Sequence, residues 1–255
     1  MEYPYINLVT VGNSFPMAFG RRVALENSSG SYKRIGSIRM VPSLINSFDS
    51  FRHNINACQR GHPCLNQAAR GASRHPIPNL MLIDCVRRRV VKATAEAYYL
   101  ALSYVWGDQR PPSVPFGSML LSLPQTIEYA ITVTTKLGFH YLWVDAYCIN
   151  QDSVNDVSIQ IRHMDLVYQR AQATIIAAAG SNADFGLPEV SSPRQKHQVC
   201  TTVNGVHLAS LRTDPWQLVH TSVWNSRAWT FQEALFSTRR IFFTEEQTLF
   251  DCPSV

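Results

Sequence analysis

The sequence predicts an α/β fold, a mainly parallel sheet with flanking helices, because two kinds of signal alternate along its second half. Short apolar runs of strand length, YLALSYVW, HYLWVDAYCI and ATIIAAAG, are separated by LPQTIEYAITVTTKLG and VNDVSIQIRHMDLVYQRA, whose apolar residues recur at helical spacing. Alternating strands and helices imply right-handed crossovers, and such sheets hold ligands outside the carboxyl ends of their strands. The composition, 45% hydrophobic and 16% charged over 255 residues, is that of a chain able to build a core.

Composition also narrows the setting. The longest apolar stretches, such as Ile175 to Ala179, fall far short of the roughly 20 residues a membrane helix needs. MEYPYINLVTVGNSF has no basic region leading into an apolar core, so no secretory signal is predicted and a cytoplasmic location is expected. Six cysteines are then expected as reduced thiols, mostly buried, Cys148 most clearly. The net charge of +5 divides unevenly: residues 1–97 carry 13 basic against 5 acidic groups (+8), and residues 98–255 carry 10 against 13 (−3). Apart from Arg87-Arg88-Arg89 the basic groups are scattered with no aromatic platform between them, which reads as a solvated face; nucleic acid is not an expected partner.

Residues 1–79, rich in Ser, Asn, Gly, Arg and Pro, show no sustained period and are expected to form an irregular basic leader. From Leu80 the texture changes to short apolar runs, so a regular domain is expected over residues 80–255. YLALSYVW is a buried strand. LPQTIEYAITVTTKLG presents Ile127, Ala130, Ile131, Val133 and Leu137 on one helical face and ends at Gly138. HYLWVDAYCI is a second strand, and the helix after it offers Val157, Ile161, Met164, Leu166 and Tyr168 to the core. ATIIAAAG is a third strand. Residues 181–222 form a long insertion with a candidate hairpin around Asn204-Gly205. NSRAWTFQEALFS reads as a short helix and RRIFFTEEQTLFDC as two strands around a Glu245-Glu246 turn; the abrupt stop at PSV points to a domain truncated at its C-terminal end.

Polar groups gather at the expected strand ends: Ser103, Trp106, Gly107 and Asp108 after the first strand, and Asp145, Asn150, Gln151 and Asp152 around the second. Asp145 inside an apolar strand needs a partner, either backbone amides or an arginine such as Arg227 in a structural role, or a catalytic one. Trp229 and Glu233 stand four apart on one helix, so the indole is placed to shelter the acid and raise its pKa. The competing interpretation makes Trp229 core and Glu233 a structural partner of Arg227 or Arg239. Cys58, His62 and Cys64 form C-x3-H-x-C without a clear fourth ligand; Cys85 or His75 would complete a zinc site only if the chain folded back, and ordinary thiols are the expected outcome. Phosphate-loop, H-E-x-x-H and G-x-S-x-G motifs are absent from the sequence.

YLALSYVWGD, LPQTIEYAI, LGFHYLWVDAYCINQD, IRHMDLVYQRAQATIIAAAG, GLP and SRAWTFQEALFSTRRIFF, in this order, resemble the heterokaryon incompatibility (HET) domain of filamentous fungi. The departures are Tyr147, where the family commonly has a small polar residue, and Asn150, where it commonly has Asp. The resemblance implies a non-self recognition module that triggers cell death, with partners among other domains or proteins of an incompatibility system, self-association, and no membrane. It extends to Toll/interleukin-1 receptor (TIR) domains, which implies a TIR-like, flavodoxin-like core with insertions and an irregular N-terminal arm. W-x-x-x-E is similar to the segment that carries the catalytic glutamate of NAD-cleaving TIR domains. Carried over, this makes Glu233 the catalytic acid and Trp229 its packing partner and nothing more; with NAD as the substrate, Ser103, Tyr104, Trp106, Asp108, Asp145, Arg227 and Trp229 are the expected substrate-binding residues, with no cofactor and no metal. A non-enzymatic adaptor that recruits death-signalling partners is the alternative.

Overall fold

Tyr99 to Ser103 is buried at every position, which requires a strand covered on both faces. The computed structural model describes residues 8–10, 44–61, 77–94, 96–108, 114–193, 198–203, 206–210 and 212–252. Its elements in chain order are β1 (Leu8–Thr10), α1 (Asp49–Gly61), β2 (Met81–Asp84), β3 (Arg89–Lys92), β4 (Tyr99–Ser103), α2 (Gln125–Lys136), β5 (Tyr141–Trp143), α3 (Asp145–Cys148), α4 (Val154–Arg162), α5 (Met164–Arg170), β6 (Thr174–Ala177), β7 (Cys200–Val203), β8 (Val206–Ser210), α6 (Pro215–His220), α7 (Ala228–Phe236), β9 (Arg240–Phe243) and β10 (Thr248–Asp251).

The chain divides into two compact units, Met1–Pro42 with Lys196–Thr213, and Ser43–Gln195 with Asp214–Val255. In the smaller, β8 is the middle strand of an antiparallel sheet ordered β1-β8-β7. β7 and β8 are the hairpin expected from the sequence; their Asn204-Gly205 connection lies outside the described residues.

The larger unit is α/β. Its seven-stranded sheet runs β10-β9-β6-β4-β5-β2-β3. The four central strands β9, β6, β4 and β5 are parallel, while β10, β2 and β3 are antiparallel additions, so the sheet is mixed with a parallel centre. Numbered by their appearance in the chain, the parallel strands lie in the order 2-1-3-4, the beginning of the flavodoxin-like order, whose ligand crevice opens between the first and third strands. Here that crevice opens between Ser103, ending β4, and Ile176–Ala177, ending β6.

Local chemistry fixes the edges. Asp84 Oδ1 accepts from the amides of Val86 at 3.0 Å and Arg87 at 2.8 Å, an Asx-type turn that folds β3 back onto β2. Arg88 Nη1, 2.9 Å from Glu128 Oε2, ties that turn to α2. All five apolar residues expected on the inner face of α2 are buried, and Gly138 leaves the helix at φ +87°.

Several expectations need correction. A helix, α1, lies within the stretch read as irregular; Phe51, Ile55 and Cys58 recur at helical spacing, but the rest of it is polar and it buries only Ile55 and Cys58, so too few apolar residues mark it in the sequence. The single helix expected after Asp152 is two, α4 and α5, meeting at His163, and Ile161 is 42% exposed because it falls on the outer side of that break. The second strand ends at Trp143, and Asp145 opens the short helix α3.

Gly180 sits just beyond β6 at φ +79°, with the Phe185 ring occupying the space a Cβ would need. Gly180→Ala is therefore expected to cost about 1–3 kcal/mol of unfolding free energy, measured by urea denaturation, from left-handed strain and displacement of the ring.

Candidate functional site

At the carboxyl end of β4, Ser103 is 1% exposed and needs hydrogen-bond partners. Its hydroxyl donates to Glu233 Oε2, and its oxygen accepts from Trp224 Nε1 at 2.7 Å. Glu233 reaches this point because α7 turns a polar face inward. Thr230 Oγ1 lies 2.7 Å from the carbonyls of Trp224 and Arg227. Ser237 Oγ donates to Glu233 O at 2.6 Å and meets Thr174 Oγ1 of β6 at 2.6 Å. The helix is thus pinned to both strands that border the crevice.

From α5, the Tyr168 hydroxyl donates to Leu102 O at 3.4 Å and lies close enough to the Glu233 carboxylate to favour its charged form. Burial raises the Glu233 pKa, opposed by the Ser103 donor, the Arg227 charge and Tyr168. The carboxylate is 8% exposed, so losing water outweighs the donors' support for the anion.

A second carboxylate faces this group from α3. Asp145 accepts from Trp106 Nε1 at 3.0 Å and from the Ala146 amide at 2.7 Å. Its pKa is raised to about 7, first by burial and then by the charge of Glu233; the Ala146 amide, Trp106 and Arg227 pull it back. Arg227 Nη1 donates to Tyr104 O at 2.9 Å and acts electrostatically on both acids. Burial, and then Asp145, hold the Tyr104 phenol well above 10. The arrangement is two carboxylates in mutual electrostatic contact, one cation between their fields, and hydroxyl and indole donors aimed at them.

The structure therefore brings Ser103, Tyr104, Trp106, Asp145, Arg227 and Glu233 together. Asp108 is exposed on the loop after β4 and has no place in the cluster. Trp229 is the clear correction: at 49% exposure it does not wall in Glu233. That work falls to Trp224, 2% exposed and packed edge-on against Phe242 at 5.9 Å, and to Tyr168, 1% exposed. The short 3-10 turn that carries Trp224, Trp224–Ser226, has no period in the sequence to show which side faces inward. Arg239 is no partner of Glu233; it donates to Gln172 O at 2.9 Å and to Cys58 Sγ at 3.2 Å.

A groove of about 700 Å³ opens elsewhere, between the β2–β3 hairpin and the start of α4, lined by Asn79, Met81, Phe116, Tyr147, Asn150 and Asp156 among others. None of Ser103, Asp145, Arg227 or Glu233 lines it. His62, Cys64 and His75 of the candidate zinc site lie outside the described residues. Cys58 packs on Cys252, away from Cys85, whose buried thiol is pushed up to about 12. Among the described residues no three His, Cys, Asp or Glu side chains group to hold a metal, and no helix is long and apolar enough to cross a membrane.

Trp224→Phe, which removes the indole donor to Ser103, is expected to cost about 1–3 kcal/mol in denaturant melts, whereas Trp229→Ala should change stability by less than about 1 kcal/mol. The raised Asp145 pKa sets a second expectation. Between its ordinary 3.8 and about 7 the folded chain binds more protons at this site than the unfolded chain, so its contribution makes stability fall as pH rises through that window. Asp145→Asn should remove that part of the slope, read from melts at pH values spaced across the window.

The model of one protein family, heterokaryon incompatibility protein (HET), matches residues 99–233, from the first residue of β4 to Glu233. Heterokaryon incompatibility protein 6, OR allele, of Neurospora crassa is 31% identical over 93 residues, 31% of this chain and 14% of that protein. The chain therefore matches only a small part of the length of that curated relative. No solved structure matches. The family match covers more than half of the chain and takes in the whole Ser103, Asp145, Tyr168, Trp224 and Glu233 constellation, so the chain belongs to the heterokaryon incompatibility (HET) family.

Proposed function

We propose that the chain is a fungal non-self recognition module of a heterokaryon incompatibility system, that its engagement triggers cell death in the cytoplasm, and that it does so by hydrolysing NAD at the nicotinamide–ribose bond. Family membership supports the first part. The observation that supports the reaction is the Glu233 carboxylate, held by Ser103 beside the carboxyl end of β4 with Asp145 in electrostatic reach.

In this reaction the C1′–N bond breaks, its electron pair leaves with neutral nicotinamide, and water adds to C1′ of the ribose with release of one proton. The sugar passes through a cation-like state. A carboxylate in a dry site stabilises such charge far better than one in water, and the Ser103 donor keeps it oriented. On this reading Arg227 would meet a phosphate, a planar donor on an anion, and Tyr104 and Trp106 would line the ribose side.

A second reading, a non-enzymatic adaptor, draws on the enclosure of Glu233, whose hydrogen bonds are already satisfied, and on the position of the large groove away from it. In that case Glu233 is scaffold and death follows from partner recruitment.

NAD content in fungal cells expressing the chain fused to an inducible oligomeriser separates the two, with Glu233→Gln and Glu233→Ala at matched soluble levels. The nucleosidase reading expects NAD to fall before viability, and a loss of about 10²–10³-fold in turnover with Glu233→Gln, which keeps an acceptor for Ser103. Death with NAD intact would overturn it in favour of the adaptor.

A further inference from the structure

Arg239 is 4% exposed, and among the described residues no carboxylate pairs with its guanidinium. Its Nη1 donates to Gln172 O at 2.9 Å and its Nε donates to Cys58 Sγ at 3.2 Å. A cation taken out of water calls for an anion beside it. Cys58 can supply one, because a guanidinium donor on the sulfur favours the thiolate, the nucleophilic form of cysteine.

A second thiol lies against it. Cys58 is 1% exposed in the last turn of α1, and Cys252, 0% exposed, follows the last residue of β10; the two pack on each other with Phe250 beside them. Two further buried thiols mark the contrast. Cys148 Sγ accepts from the Val144 amide at 3.3 Å, Cys85 Sγ donates to Ile83 O at 3.8 Å, and burial pushes each up to about 12, where a thiol stays protonated and inert. Among the described residues, Cys58 is the cysteine that combines a bonded guanidinium with a second thiol in contact. Both partners sit at element ends, where local opening costs least, so a small oxidant reaches them without global unfolding.

We propose that Cys58 and Cys252 form a peroxide-responsive dithiol that closes to a disulfide, with Cys58 as the attacking thiol and Cys252 as the resolving one. The Cys58 thiolate attacks one oxygen of hydrogen peroxide, the O–O bond breaks, and Cys58 becomes a sulfenic acid as hydroxide leaves. Cys252 then attacks that sulfur as a thiolate, the S–O bond breaks, and the protons given up by the two thiols convert both departing hydroxides to water. Two thiols are oxidised by two electrons and one peroxide is reduced. The new bond joins α1 to the edge strand β10 and takes the anion away from Arg239, two residues from the Ser237 hydroxyl that pins α7. The proposal stands on the placement of these side chains and is independent of whether the site cleaves NAD.

Peptide mapping of the whole chain tests it, after reduction, desalting, exposure to about 0.1–1 mM hydrogen peroxide and alkylation without further reduction. The expected result is a linked peptide pair, Cys58 with Cys252, that dithiothreitol releases. With Cys252→Ser, Cys58 should be trapped as a sulfenic acid that dimedone labels about tenfold more than Cys85 or Cys148. Arg239→Gln should slow formation of the link about tenfold. Arg239 is buried, so if that variant fails to fold, the map of the unaltered chain decides. Both thiols still open to alkylation after peroxide, or Cys58 linked to a different cysteine, overturns the proposal. Zinc that co-purifies in stoichiometric amount and is lost in Cys252→Ser overturns it as well, since the two sulfurs would then serve as metal ligands.

Discussion

The bond from Ser103 to Glu233 is the constraint on which the functional end of the fold depends. Ser103 has one hydroxyl hydrogen, and it goes to the carboxylate; its oxygen takes the Trp224 indole N–H. One side chain at the end of the central strand thereby fixes both the helix that carries the acid and the turn before it. Remove either partner and a buried polar atom is stranded, which costs more than the bond was worth. The flavodoxin-type strand order puts this serine at the place where a parallel sheet opens to ligands, so the position is set by topology and the chemistry by three side chains.

Two acids near one another in a partly dry site do not titrate independently. Burial raises both, and the Glu233 charge raises Asp145 further, so the first proton lost makes the second harder to lose. Arg227 works against this on both, and its own position is set by a carbonyl, Tyr104 O, and not by either carboxylate. A cation anchored to backbone stabilises whichever acid is ionised without moving toward it. Such preorganisation suits a site where charge changes during its work, and it is equally what a structural cluster needs to keep two acids in a protein core.

Much of the fold was legible because its central elements obey simple periods. Ile127, Ala130, Ile131, Val133 and Leu137 announced α2, and the continuous apolarity of β4 and β6 announced strands covered on both faces. Asp145 and Glu233 were legible as acids out of place. What the sequence hid was tertiary. The antiparallel β2–β3 hairpin beside β5 pairs through Ile83 and Leu142, residues 59 apart in sequence. The real wall of Glu233, Trp224 and Tyr168, comes from a 3-10 turn and a separate helix. Trp229 misled because spacing of four fixes which residues share a helix face, but not which face the fold buries.

That last point explains why α7 tolerates so much exposed apolar surface. Rotating the helix by one residue, about 100°, would bury Trp229 or Phe231 and gain roughly 1.5–3 kcal/mol per ring. It would also withdraw Glu233 from Ser103, Ser237 from Thr174, and Thr230 from the Trp224 carbonyl. Each of those buried groups left alone costs about 1–3 kcal/mol, and there are more of them than there are rings to bury. Directional bonds thus outvote undirected burial and hold the aromatics outward. The same bonds make the outer face report on the inner one, since any contact that turns α7 about its axis moves Glu233 relative to the end of β4.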